Sequence, residues 1–108
     1  MTRGVALMRD VEEIEAAFLK VRSSAEKAIG GDEATKDKSF QDVFVLNNAI
    51  GRLGRQRPKT MRRMKDLQAC VNMITVAMKY GKVQELRDGI SLTAESISAM
   101  KKEFSSAP

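Results

Sequence analysis

From Leu7 the apolar residues fall at Leu7, Val11, Ile14, Phe18, Val21, Ala25 and Ala28, in alternating steps of four and three. Such steps return to one face of an α-helix and draw a heptad-type stripe along it. Ala16, Ala17 and Leu19 widen the stripe, while Glu12, Glu13, Glu15, Lys20, Arg22 and Glu26 take the solvent positions. Gly30 and Gly31 follow, and glycine is the residue that most readily ends a helix in the left-handed conformation. The pattern predicts a helix over residues 5 to 29. At 1.5 Å per residue it is about 37 Å long, which implies an elongated molecule.

Residues 31 to 38 are polar without a period and read as a loop. Ser39 is placed to cap a second helix over 40 to 54, with Asp42 at the fourth place of a capping box. Its stripe is Val43, Leu46, Ile50 and Leu53, broadened by Phe40 and Phe44; Gly51 and Gly54 weaken its end, and Pro58 suits the first turn of the next. The third helix, 59 to 80, carries Met64, Leu67, Val71, Ile74 and Met78, flanked by Met61, Cys70, Met73 and Ala77. A fourth, 83 to 104, carries Val83, Leu86, Ile90, Thr93, Ile97, Met100 and Phe104 out of phase with the third, so a tight antiparallel turn at Gly81 separates them. Gly89, with Ser91 behind it, marks a place for a kink, and the tail 105 to 108 should fray. No segment keeps a period of two. The expected fold is all-α: one domain, a small antiparallel bundle of about four helices with coiled-coil-like seams.

Composition narrows the chemistry more than the fold. The 108 residues include no His, one Cys and no Trp. Without His the chain lacks the commonest side chain for acid-base work at neutral pH, and one Cys cannot build a zinc site. Phosphate-binding, dinucleotide and calcium loops are also missing from the sequence, as is any thiol-imidazole pair. The acids Asp10, Glu12, Glu13 and Glu15 read as solvated residues near the start of a helix, where they oppose the macrodipole. Glu33 and Asp37 read as part of a polar loop, and Cys70, between Ala69 and Val71, as a small core residue. The expectation is a non-enzymatic protein with no cofactor and no metal. A lone Cys points to a reducing, cytoplasmic setting. Arg3 and Arg9, ahead of the first acid, keep a mitochondrial presequence as the second reading.

Charge supplies the one localised signal. Arg52, Arg55, Arg57, Lys59, Arg62, Arg63 and Lys65 occur within fourteen residues without a single acid, and the rest of the chain sums to minus two. Five of the seven are Arg, which suits bidentate contact with carboxylate or phosphate. The cluster reads either as a solvated basic turn that binds nothing or as the candidate binding site; as a site, an acidic protein surface is the first expectation, a nucleic acid the alternative, and a membrane surface the third. No aromatic residue lies within the cluster to stack on bases. The strict seams of the first and fourth helices add a further expectation, a homo-oligomer or a place in a larger complex. Met61, Met64, Met73 and Met78 on the third helix read mainly as core, with an adaptable contact face as the other reading.

Overall fold

The computed structural model describes the backbone of residues 2–105 and the side chains of residues 7–105. Four helices follow in order: α1 (Thr2–Ala28), α2 (Glu33–Gln56), α3 (Met61–Tyr80) and α4 (Val83–Ser105), with one 3-10 turn, Pro58–Thr60, between α2 and α3. Among the described residues there is no strand. Each helix packs along its chain neighbours, and α4 closes the ring against α1; α1 barely meets α3, so α1/α3 and α2/α4 are the diagonals of a square bundle. The molecule measures 47 × 21 × 18 Å, elongated as the first helix implies.

The four stripes meet in one core. Val11, Ile14 and Phe18 of α1, Leu46, Ile50 and Leu53 of α2, Met64, Leu67 and Ile74 of α3, and Ile97 and Met100 of α4 are all buried. Thr93 is buried too, and its hydroxyl is satisfied by donating to the Gly89 carbonyl at 2.7 Å. Apart from Val83, which is exposed, and the partly buried ends Leu7 and Phe104, the seams of α1 and α4 are therefore filled from within the chain.

The second helix starts earlier than its apolar pattern suggests. Residues 33 to 38 are helical, not a loop, and the cap is Asp32, whose Oδ1 accepts from the Thr35 backbone N–H at 2.9 Å and from the Thr35 hydroxyl at 2.7 Å. Once the buried half of α2 is nucleated, adding turns costs little, and Glu33, Ala34, Lys36 and Lys38 are good helix formers. Ser39, expected as the cap, is instead fully buried inside α2, its hydroxyl 2.8 Å from the Met78 sulfur on α3. Gly51 and Gly54 do not end α2, which runs on to Gln56. Thr60, also buried, donates to the Arg57 carbonyl at 2.7 Å and secures the turn into α3.

Gly81 (φ +66°) ends α3 in the left-handed conformation, and the Lys82 N–H reaches back to the Ala77 carbonyl at 2.9 Å. The turn at Gly81 is as tight as the phase change requires. Gly89 causes no break in α4. A Cβ there would lie 3.2 Å from the Ile74 backbone nitrogen and 3.1 Å from Ile74 Cγ1, so the missing side chain sets how closely α3 and α4 approach. Of the tail expected to fray, Ser105 closes α4, and 106 to 108 lie outside the described residues.

Candidate functional site: the basic end of the bundle

The up-and-down path brings the end of α2 and the start of α3 to the same end of the bundle as the first half of α1 and the end of α4. Three of the seven clustered cations are tied there to acids of other helices. Arg52 pairs with Glu13 of α1, Arg57 Nε lies 3.8 Å from Asp10 Oδ2 of α1, and Arg63 pairs with Glu103 of α4. Lys101 of α4 adds a fourth cross-helix pair with Glu15 at 3.0 Å. The acids of α1 thus do more than face water. Because α1 begins at Thr2, Asp10, Glu13 and Glu15 lie beyond its first turn and serve as cross-helix partners, so opposition to the helix dipole is not their role. The sequence places these charges but gives no sign of the pairing, which depends on which helix ends meet.

The other four cations, Arg55, Lys59, Arg62 and Lys65, are exposed and have no carboxylate partner among the described residues. Arg55 lies back along α2, its Nη1 3.1 Å from where a Cβ would stand on Gly51, which leaves room for the guanidinium. The first turn of α3 contains no acid, although it contains Arg62 and Arg63. Cations next to a helix N-terminus oppose the macrodipole, by about 0.3–1 kcal/mol each where exposed. Arg63 is offset by its pair with Glu103, but for Arg62, which has no carboxylate partner among the described residues, the dipole offers no stabilising role.

Apolar side chains left outside the core form the second feature. Phe44 and Val45, on the outer face of α2, are 66% and 56% exposed, and with half-buried Phe40, Asp37 and Gln41 they line a shallow depression of about 580 Å³. The sequence pattern puts Phe44 beside the core stripe, but it falls on the outer side because the four-helix ring covers only the face centred on Leu46 and Ile50. The methionines of α3 divide: Met64 and Met78 are core, Met61 and Met73 are partly exposed.

The remaining candidates hold less. Cys70 is half-buried, not core; burial first, and the Asp66 carboxylate second, push its thiol above the usual range, which disfavours the thiolate a nucleophile needs. Between α1 and α2 an open groove of about 500 Å³ is lined by Lys20, Ser23, Lys27, Lys38 and Asp42. One oxygen of Asp42 is 3.6 Å from Lys38 Nζ, and the other has no hydrogen-bond partner. Glu33 and Asp37 are exposed on the first turns of α2. Among the described residues no three acids or thiols converge as metal ligands, and no helix is long and apolar enough to cross a membrane.

Compared with protein-family models, with curated proteins and with solved structures, the chain matches none.

Proposed function

We propose that this protein is a non-enzymatic interaction module that holds an acidic protein surface on the basic end of its bundle. The observation that carries the reading is the set Arg55, Lys59, Arg62 and Lys65: exposed, unneutralised, and partly placed against a helix dipole that favours acids. Carboxylates suit this set better than nucleic-acid phosphates do, because no exposed aromatic lies among the cations to stack on a base. The binding residues are these four; Arg52, Arg57 and Arg63, with partners inside the chain, hold the end together. The α1 and α4 seams are mostly used up in the core, so a different protein is the partner favoured here over a second copy.

The test is charge reversal of the four unpaired cations to Glu in one variant. Circular dichroism should show parent-like helix content and melting, since none of the four has a structural partner. Capture from native lysate, with and without nuclease, should yield a protein partner for the parent and none for the variant. Retention of every partner by the folded variant would refute the reading. Partners that vanish with nuclease, and parent binding that falls steeply with salt, would instead point to nucleic acid.

A further inference from the structure

The exposed apolar patch lies on the same side of α2 as Arg55 of the basic end. Phe40, Phe44, Asn48, Gly51 and Arg55 stand at steps of four, four, three and four along α2, which places them on one side of the helix. The inward sides of the same turns carry Val43, Leu46, Ile50 and Leu53 in the core, so this row is the outer ridge. Eleven residues separate Phe44 from Arg55, or about 16 Å along the axis at 1.5 Å per residue. The chain carries no acid between Asp42 and Asp66, so α2 itself puts no carboxylate between the apolar patch and the cations of the turn and of α3, and Glu13 of α1, beside this stretch, is tied to Arg52.

We infer that this ridge is the docking track for an amphipathic helix of the partner: its apolar face rests on Phe40, Phe44 and Val45, and a cluster of acids about three turns away meets Arg55, Arg62 and Lys65. The inference rests on the reading of the basic end as a protein-binding site, and it adds the shape and polarity of the segment bound. Charge complementarity selects the occupant. A purely apolar helix would leave the cations unpaired, and an acidic segment without an apolar end would leave Phe44 and Val45 in water. A helix suits the track because two helices lying side by side keep matching spacing over several turns, whereas the patch and the cations lie too far apart for one short turn to reach both. An anionic membrane is the competing occupant; it is disfavoured because Asp37, Gln41 and Asn48 interleave with the three apolar side chains on the same face.

A displayed library of helical peptides, randomised at the surface positions of a fixed helical scaffold, tests the inference with the intact chain as bait. The enriched peptides should carry apolar residues at i, i+3 or i+4 near one end and Asp or Glu about eleven positions away. Phe44→Ser and Arg55→Glu should each weaken a selected peptide at least about tenfold while leaving thermal melting unchanged. Enrichment of acidic peptides without an apolar end, bound equally by Phe44→Ser, would overturn the docking track and leave the acidic-partner reading standing. Loss of neither peptide binding nor lysate partners in the charge-reversal variant would overturn both. Sedimentation with phosphatidylserine vesicles that depends on Phe44, with no peptide pattern enriched, would reassign the ridge to a membrane surface.

Discussion

Two glycines inside helices show how neighbours decide the sign of a substitution. At Gly51 the atom closest to an added Cβ is the far end of the Arg55 side chain, which can swing away. Gly51→Ala should therefore stabilise the protein by about 0.5–1 kcal/mol, the usual helix gain over glycine. At Gly89 the added Cβ meets the Ile74 backbone nitrogen and the Met73 Cβ, and α3 and α4 must part by a few tenths of an ångström. Overpacking of this kind costs about 1–3 kcal/mol, more than the helix gain, so Gly89→Ala should lower the melting temperature. Denaturant titrations of the two variants check both signs. Asp32 offers a test in pH. Its hydrogen bonds from the Thr35 backbone and hydroxyl hold its carboxyl below the ordinary value. A lowered folded-state pKa means that the cap's contribution is complete above the unfolded pKa of about 4 and is lost as pH falls through the folded value. Asp32→Asn, which accepts the same bond without titrating, should flatten that part of the acid melting curve.

At the level of the helix, α2 is built from two unlike halves. Residues 33 to 38 contribute no buried side chain, while Ser39, Val43, Leu46, Ile50 and Leu53 are all buried. Its first two turns should accordingly open more readily than the rest, and native-state hydrogen exchange should find the amides of 36 to 38 less protected than those of 46 to 53. Uniform protection along α2 would show that the Asp32 cap alone holds the polar turns as firmly as the core does. The apolar stripes also make definite claims about register. Val71→Asp and Ile97→Asp each put an unpaired charge into the core and should destabilise the fold by several kcal/mol, whereas Asn48→Asp, on the exposed ridge, should be nearly neutral in thermal melts.

Over the whole molecule, charge gathers at one end of a long bundle and is partly cancelled there. The pairs of Arg52 with Glu13 and of Arg57 with Asp10 are part-exposed, so each contributes about 0.2–1 kcal/mol at most. Replacing Glu13 by Gln and Asp10 by Asn should cost less than about 2 kcal/mol in total. It should also release two guanidinium groups and tighten binding of an acidic probe such as polyglutamate. Fluorescence anisotropy at low salt, beside a thermal melt, measures the two effects together. An unchanged affinity would mean that the end does not act as one electrostatic surface.

Periodicity was enough for the number of helices, their stripes and the turn at Gly81, because one face of every helix in a small bundle must be buried and the spacing of Leu46 and Ile50, or of Val71 and Ile74, records which face that is. The cap at Asp32 was not legible in this way: the polarity of residues 31 to 38 pointed to a loop and the cap to Ser39, since exposed helical turns and loops share a composition. The cluster 52 to 65 could be found from charge alone. Its division into paired and unpaired cations could not: Asp10, Glu13 and Glu103 lie about forty residues or more from the Arg they meet, and only the closure of α1 and α4 around α2 and α3 brings them together. The same closure decides which apolar side chains are left over. Phe44 fits a widened stripe in one dimension, but a four-helix ring covers only the side of α2 turned to its neighbours, and Phe44 lies outside it.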